Sequence, residues 1–322
     1  MYGKKAFEQQ IADLDALRTT NEALRLAALR KALTHRNNFI GAKAADLVRE
    51  FRSTELIPDL LAAFDRFFEN PEKSDPQCWG KNAISRALAT LEYQEPGVFL
   101  RGMRHIQLEP VYGGRSDSAG TLRATCALAL VQCRSLSNDD LLSHLLELFA
   151  DEDKNVRAEI ARAIEQVGSP TAALLLRLRA TLGRDEPEVL GACFGGILRI
   201  AGVRAIPWVG RFLAAGDDTA AEAALAIAGT HSLESLEFLR DALPKAKDPW
   251  FRSVLLSSIA LTRQDSAVEF LVALVRTESL DAEAAVEALM RAMPSAETMK
   301  HLTEATAGNQ RLTRVLASHA KR

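Results

Sequence analysis

Aromatic residues make up only 6% of this 322-residue chain, and it has no long Val/Ile/Thr alternations of the kind that build half-buried strands. A sheet-rich fold is thereby excluded. Cysteine is scarce as well: Cys78, Cys126, Cys133 and Cys193 form no CxxC pair and stand at no metal-ligand spacing from a histidine. Cys126 and Cys133, on one helix, would lie about 10.5 Å apart along its axis, too far for a disulfide. Histidines are scattered, with no HExxH, and no GxSxG elbow marks a nucleophile. No metal, cofactor or catalytic constellation is therefore expected. Nowhere do about 18 uncharged apolar residues run together, and the opening MYGKKAFEQQIADLDALR lacks a signal-peptide apolar run. The expectation is a soluble protein of a reducing, cytoplasmic setting, away from membranes. Strong charge of either sign is also missing: the net charge is -2, with ten Lys/Arg against six Asp/Glu in residues 1–54. That mild basic end falls short of a phosphate-tracking face, which argues against nucleic acid as the main partner.

What is abundant is Ala, Leu, Arg and Glu, arranged with helical periodicity. The clearest unit is NDDLLSHLLELFADEDKNVRAEIARAIEQVGS, residues 138–169. Leu142, Leu145, Leu146 and Phe149 fall at i, i+3, i+4 and i+7 of a first helix; after an acidic turn, Val156, Ile160, Ile164 and Val167 mark a second, which Gly168 ends. Helices this short are stable only when their stripes are covered by neighbours. The unit recurs: Leu122, Arg123, Ala127, Leu130 and Cys133 match Val156, Arg157, Ala161, Ile164 and Val167, as do Val189, Leu190, Phe194, Ile197 and Ile200. With small shifts, residues 39–51, 82–93, 220–229, 251–263 and 282–293 give further second helices, about eight helical hairpins in all. In this register Cys126, Cys133 and Cys193 occupy core positions, leaving Cys78 as the one cysteine expected to be exposed. Trp79, Trp208 and Trp250 are too dispersed for a stacking platform and read as staples between hairpins.

Aspartate precedes each later second helix, at Asp75, Asp117, Asp153, Asp185, Asp217, Asp248 and Asp281, where it would cap the helix for about 1 kcal/mol. Paired helices, an intervening Asp, an opening "VR" and a closing Gly resemble HEAT repeats, particularly the short bacterial kind of phycobilisome lyases. The likeness covers residues 22–293. It implies an all-α, right-handed α-solenoid in one domain, with residues 1–20 and 294–322 as terminal caps. It further implies that Arg123, Arg157 and Arg252 form a ladder with aspartates of adjacent turns, broken where Leu190 replaces arginine.

The segment EPVYGGRSDSAGT, residues 109–121, is glycine-rich like a phosphate cradle but lacks the lysine and the preceding strand of a P-loop. It reads as an enlarged turn capped by Asp117 or Ser118, with Tyr112 and Arg115 on its tip, within reach of a partner. Register on the second helices places Arg49, Arg86, Arg162, Arg199 and Arg291 along a concave groove, with Gly195 where an arginine would stand. These residues are either ordinary solvated side chains or a surface whose guanidiniums engage the carboxylates of an acidic peptide. The expected function is a non-catalytic protein-binding scaffold. An alternative is a nucleic-acid protein akin to HEAT-like DNA glycosylases, though no Trp and Asp stand together on inner positions. A third reading, a chromophore lyase, requires a photosynthetic host.

Overall fold

A computed structural model describes residues 2–320, with side chains from 7 to 319. The chain divides into two compact units, 1–167 and 168–322.

The first unit opens with α1 (Tyr2–Ala16), which buries Leu14 and is followed by buried Leu17. Helical hairpins succeed it. They are α2 (Glu22–Leu33) with α3 (Asn38–Phe51); α4 (Ile57–Phe67), the single turn α5 (Pro71–Ser74) and α6 (Trp79–Thr90); α7 (Pro96–Met103), strands β1 (Leu108–Val111) and β2 (Gly114–Asp117), and α8 (Gly120–Leu130); and α9 (Asn138–Leu148) with α10 (Lys154–Val167). Second helices pack in chain order, α3 on α6, α6 on α8 and α8 on α10. Their stripes meet there: Leu47, Ile84, Leu88, Leu122, Cys126, Leu130, Ile160 and Ile164 are fully buried. Each such aliphatic side chain contributes roughly 1.5–3 kcal/mol on burial. That outweighs anything propensity supplies to isolated helices of 11 and 14 residues such as α8 and α10.

The second unit repeats the scheme with α11 (Pro170–Leu182) and α12 (Pro187–Ala201), α13 (Ile206–Gly210) and α14 (Asp218–Ala228), α15 (Leu233–Ala242) and α16 (Pro249–Leu261), and α17 (Asp265–Arg276) and α18 (Ala282–Arg291). Here α12 packs on α14, α14 on α16 and α16 on α18. Residues 294–322 supply one more pair, α19 (Ala296–Thr306) and α20 (Gln310–Ala320), with α20 against α18. Each unit is thus an α-solenoid of stacked helical hairpins.

Aspartates punctuate the stack as their spacing predicts. Asp217 accepts from Ala220 N at 2.9 Å, Asp248 from Trp250 N and Phe251 N at 2.8 and 3.1 Å, and Asp117 from Ala119 N at 3.0 Å. Asp281 departs from this role: it makes no cap and instead pairs with Arg252 Nε at 2.9 Å. Arg123 bridges Asp117 and Asp151, at 2.5 and 2.7 Å. Both are the expected ladder arginines. Where Leu190 turns into the core, Asp185 is met by Arg179 Nε at 2.7 Å, so the guanidinium comes from the first helix instead of the second.

Three expectations are corrected. Residues 108–117 form a two-stranded antiparallel hairpin, Val111 opposite Gly114, and not an irregular turn; Gly113 supplies the positive φ of +89° at its tip. Cys78 is buried, and burial pushes its thiol up to about 12. Leu146 lies exposed, while Leu141, outside the expected stripe, is buried. The stapling role of Trp79 holds: its ring sits edge-on to Phe39 at 5.8 Å, and Phe39 meets Phe7 of α1 at 5.5 Å.

Candidate docking cleft

The arginine row is largely neutralised by its own helices. Arg49 pairs with Asp46 at 3.2 Å, Arg291 with Glu287 at 3.0 Å, and Arg162 with Glu159, all one turn away. Arg86 reaches the same Asp46 at 4.0 Å. Arg49, Arg86 and Arg162 belong to the first unit; Gly195, Arg199 and Arg291 belong to the second. Gly195 and Arg199 line a depression of about 530 Å³ with Leu198, Val203 and Ala226. A Cβ at Gly195 would meet nothing within 4 Å, so packing does not require glycine there. Gly195→Ala is expected to stabilise the second unit by roughly 0.5–1 kcal/mol through helix propensity. A lowered thermal midpoint would show instead that the bare backbone is needed.

The sequence reading missed a polar core that roots the β-hairpin. Asp75 and Lys81 are both fully buried, 3.1 Å apart. Asp75 also accepts from Gly80 N at 2.7 Å, Lys81 N at 2.9 Å and Asn38 Nδ2 at 2.9 Å, so one carboxylate both caps α6 and ties it to α3. Gly80 is demanded by this approach, since a Cβ would lie 2.5 Å from the Phe67 ring. Lys81 Nζ donates further to Phe67 O at 3.1 Å and to Gln107 Oε1 at 3.0 Å. Gln107 in turn donates from Nε2 to Asp75 O at 2.9 Å and to Glu109 Oε1 at 2.6 Å. These partners fix the amide orientation, which makes His105 Nε2, 3.0 Å from Gln107 Oε1, the donor of that pair. Burial, the largest influence, holds the His105 pKa below its ordinary value and keeps the ring neutral.

Glu109 on β1 completes the root. It accepts from Gln77 N at 2.6 Å and Ser118 Oγ at 2.9 Å, holding Gln77 and Cys78 in successive left-handed conformations at φ 57° and 55°. On the flank, Arg115 pairs with Glu72 at 2.6 Å and donates to Leu108 O. At the other end Arg123 holds Asp117 and donates to His105 O at 3.0 Å. Burial opposes ionisation of Asp117 most strongly. The N–H groups of Gln107 and Ala119 and the Arg123 guanidinium together outweigh it and keep the carboxyl below the usual range. The ribbon is therefore clamped at both roots.

Against this ribbon lies a cleft of about 670 Å³, between α7, the hairpin and the turn joining α9 to α10. Leu100, Met103 and Leu148 contribute apolar lining, with Ile106 and Leu108 along the ribbon side. Ile106 is 66% exposed and Leu108 47%; farther along, Val111 is 52% exposed and Tyr112 projects wholly into solvent. Of the two loop residues singled out by sequence, Tyr112 is thus free on the tip, while Arg115 is tied into the scaffold. Among the described residues, no three His, Cys, Asp or Glu side chains converge as a metal site.

An α-helical hairpin-repeat protein bearing one β-ribbon insertion is the class this fold defines. No family model and no curated protein matches the chain. Among solved structures it is similar to the complex of CpcE and CpcF of phycocyanin lyase from Nostoc sp. PCC7120, at 17% identity and a TM-score of 0.36, covering 91% of this chain and 94% of that one. That structure is named as part of a lyase, and the expectation that this chain is not an enzyme is not carried further.

Proposed function

We propose that the chain is a protein-binding repeat module whose docking surface is the ribbon and cleft of its first unit. The observation that supports this is the exposed pair Ile106 and Leu108 beside the cleft, with Val111 and Tyr112 exposed nearer the tip, carried on a ribbon clamped at both roots. Exposed apolar side chains on a rigid element mark interaction surfaces, because their ordering cost has already been met in the free protein. The arginines singled out from the sequence have less to offer a partner, since binding at Arg49, Arg162 or Arg291 must first compete with Asp46, Glu159 and Glu287. For the same reason the acidic partner expected from that row is not carried forward. A phosphate backbone would likewise find these guanidiniums already engaged.

The test compares two variants of the full chain in affinity capture from its host, with the captured protein then titrated in purified form. Leu108→Gln is expected to weaken the partner at least about tenfold, while Arg162→Glu with Arg199→Glu leaves it within about twofold. The reverse pattern would move the docking surface to the arginine row.

A further inference from the structure

The chemistry of the occupant follows from how the cleft's charges are already committed. Asp117, Glu147, Asp151, Glu152 and Asp153 line it against only two guanidiniums, Arg104 and Arg123. Arg123 is consumed by Asp117 and Asp151. Asp153 turns one oxygen to Asn155 N at 2.8 Å. Glu147 and Glu152 are left exposed on the rim, and neither forms an ion pair among the described residues. A carboxylate rim therefore surrounds an apolar floor. Taken with the docking reading, on which this inference rests, we propose that the cleft takes a basic segment of a partner protein: a bulky apolar side chain seated on Leu100, Met103 and Leu148, flanked by lysines or arginines that reach Glu147 and Glu152.

Two features favour a polypeptide over a small cation. Beyond the cleft the ribbon carries further exposed apolar side chains, Val111 on the strand face opposite Leu108 and Tyr112 at the tip, giving a chain that wraps the ribbon further surface to cover. The carboxylates stand on two different elements, Glu147 on α9 and Glu152 in the turn after it, so that cations spaced along a chain can meet them separately. An acidic segment would face like charge with one unpaired guanidinium, Arg104, to offset it.

The test uses the full chain and two fluorescent peptides that share a central Leu-Phe pair, one flanked by lysines and the other by glutamates, read by anisotropy. The lysine peptide is expected to bind at least about tenfold more tightly, with affinity falling as salt is raised. In Glu147→Lys with Glu152→Lys, both exposed positions, the preference should invert. Equal binding of the two peptides, tighter binding of the glutamate peptide, no binding of the lysine peptide, or an unchanged preference in the double variant would each overturn the proposal. Leu108→Gln, which adds no charge, separates the two levels. If both peptides bind equally and Leu108→Gln abolishes both, the docking surface stands and the charge assignment falls; if Leu108→Gln changes neither, the docking surface itself falls.

Discussion

Replacing Asp75 by alanine is expected to destabilise the first unit by about 3–5 kcal/mol, the range found when one partner of a buried ion pair is removed. Three losses coincide at that atom group. Lys81 Nζ is left at zero exposure without its carboxylate partner, Gly80 N and Lys81 N lose their acceptor at the start of α6, and Asn38 loses its link from α3. Hydrogen exchange in residues 75–107 should accelerate by roughly two to three and a half orders of magnitude, at about 1.4 kcal/mol per decade. Adding Lys81→Met should recover part of the loss, because the orphaned charge goes with it. A change below about 1 kcal/mol in the single variant would show that water or a rearranged side chain replaces the carboxylate.

Arg123→Met is expected to cost about 3 kcal/mol near neutral pH, since it leaves Asp117 and Asp151 facing the cleft without their shared cation. This loss should depend on pH in a defined direction. The carboxyl of Asp117 is held below its reference value of 3.8, so the stability it contributes is present above that value and disappears as pH falls through the lower, folded one. The parent chain should therefore lose more stability than the variant as pH falls below about 4, and the two urea midpoints should draw together. Midpoints that stay equally separated through that range would assign the effect to packing of the Arg123 side chain instead of its charge.

The helical framework was legible because it rests on periodic burial. Cys126 and Cys193 were placed in the core by register alone and are fully buried, and the gap in the arginine ladder at Leu190 was visible as a missing residue type. The replacement by Arg179 was not, because it arrives from the other helix of the pair. The ribbon escaped detection for a different reason. Its strands have four residues each, β1 is interrupted by Pro110, and what holds it is Gln107, a side chain with no periodic signature. Lys81 and Asp75 look like ordinary polar residues near a helix start until the fold closes over them. The neutralisation of the arginine row was readable in advance, since Asp46 and Arg49, Glu159 and Arg162, and Glu287 and Arg291 stand three or four residues apart. Weighing that spacing shifts attention from the arginines to the ribbon beside the acidic turn.

The ribbon, joined by no further strand among the described residues, is a template on which a foreign strand can grow, and it carries its own guard. Pro110 withholds an amide from one margin, the Arg115 guanidinium occupies the Leu108 carbonyl on the same strand, and four residues offer little length for a zipper. Concentrated solutions of the protein should accordingly remain free of edge-to-edge polymers even with its oily ribbon in open view.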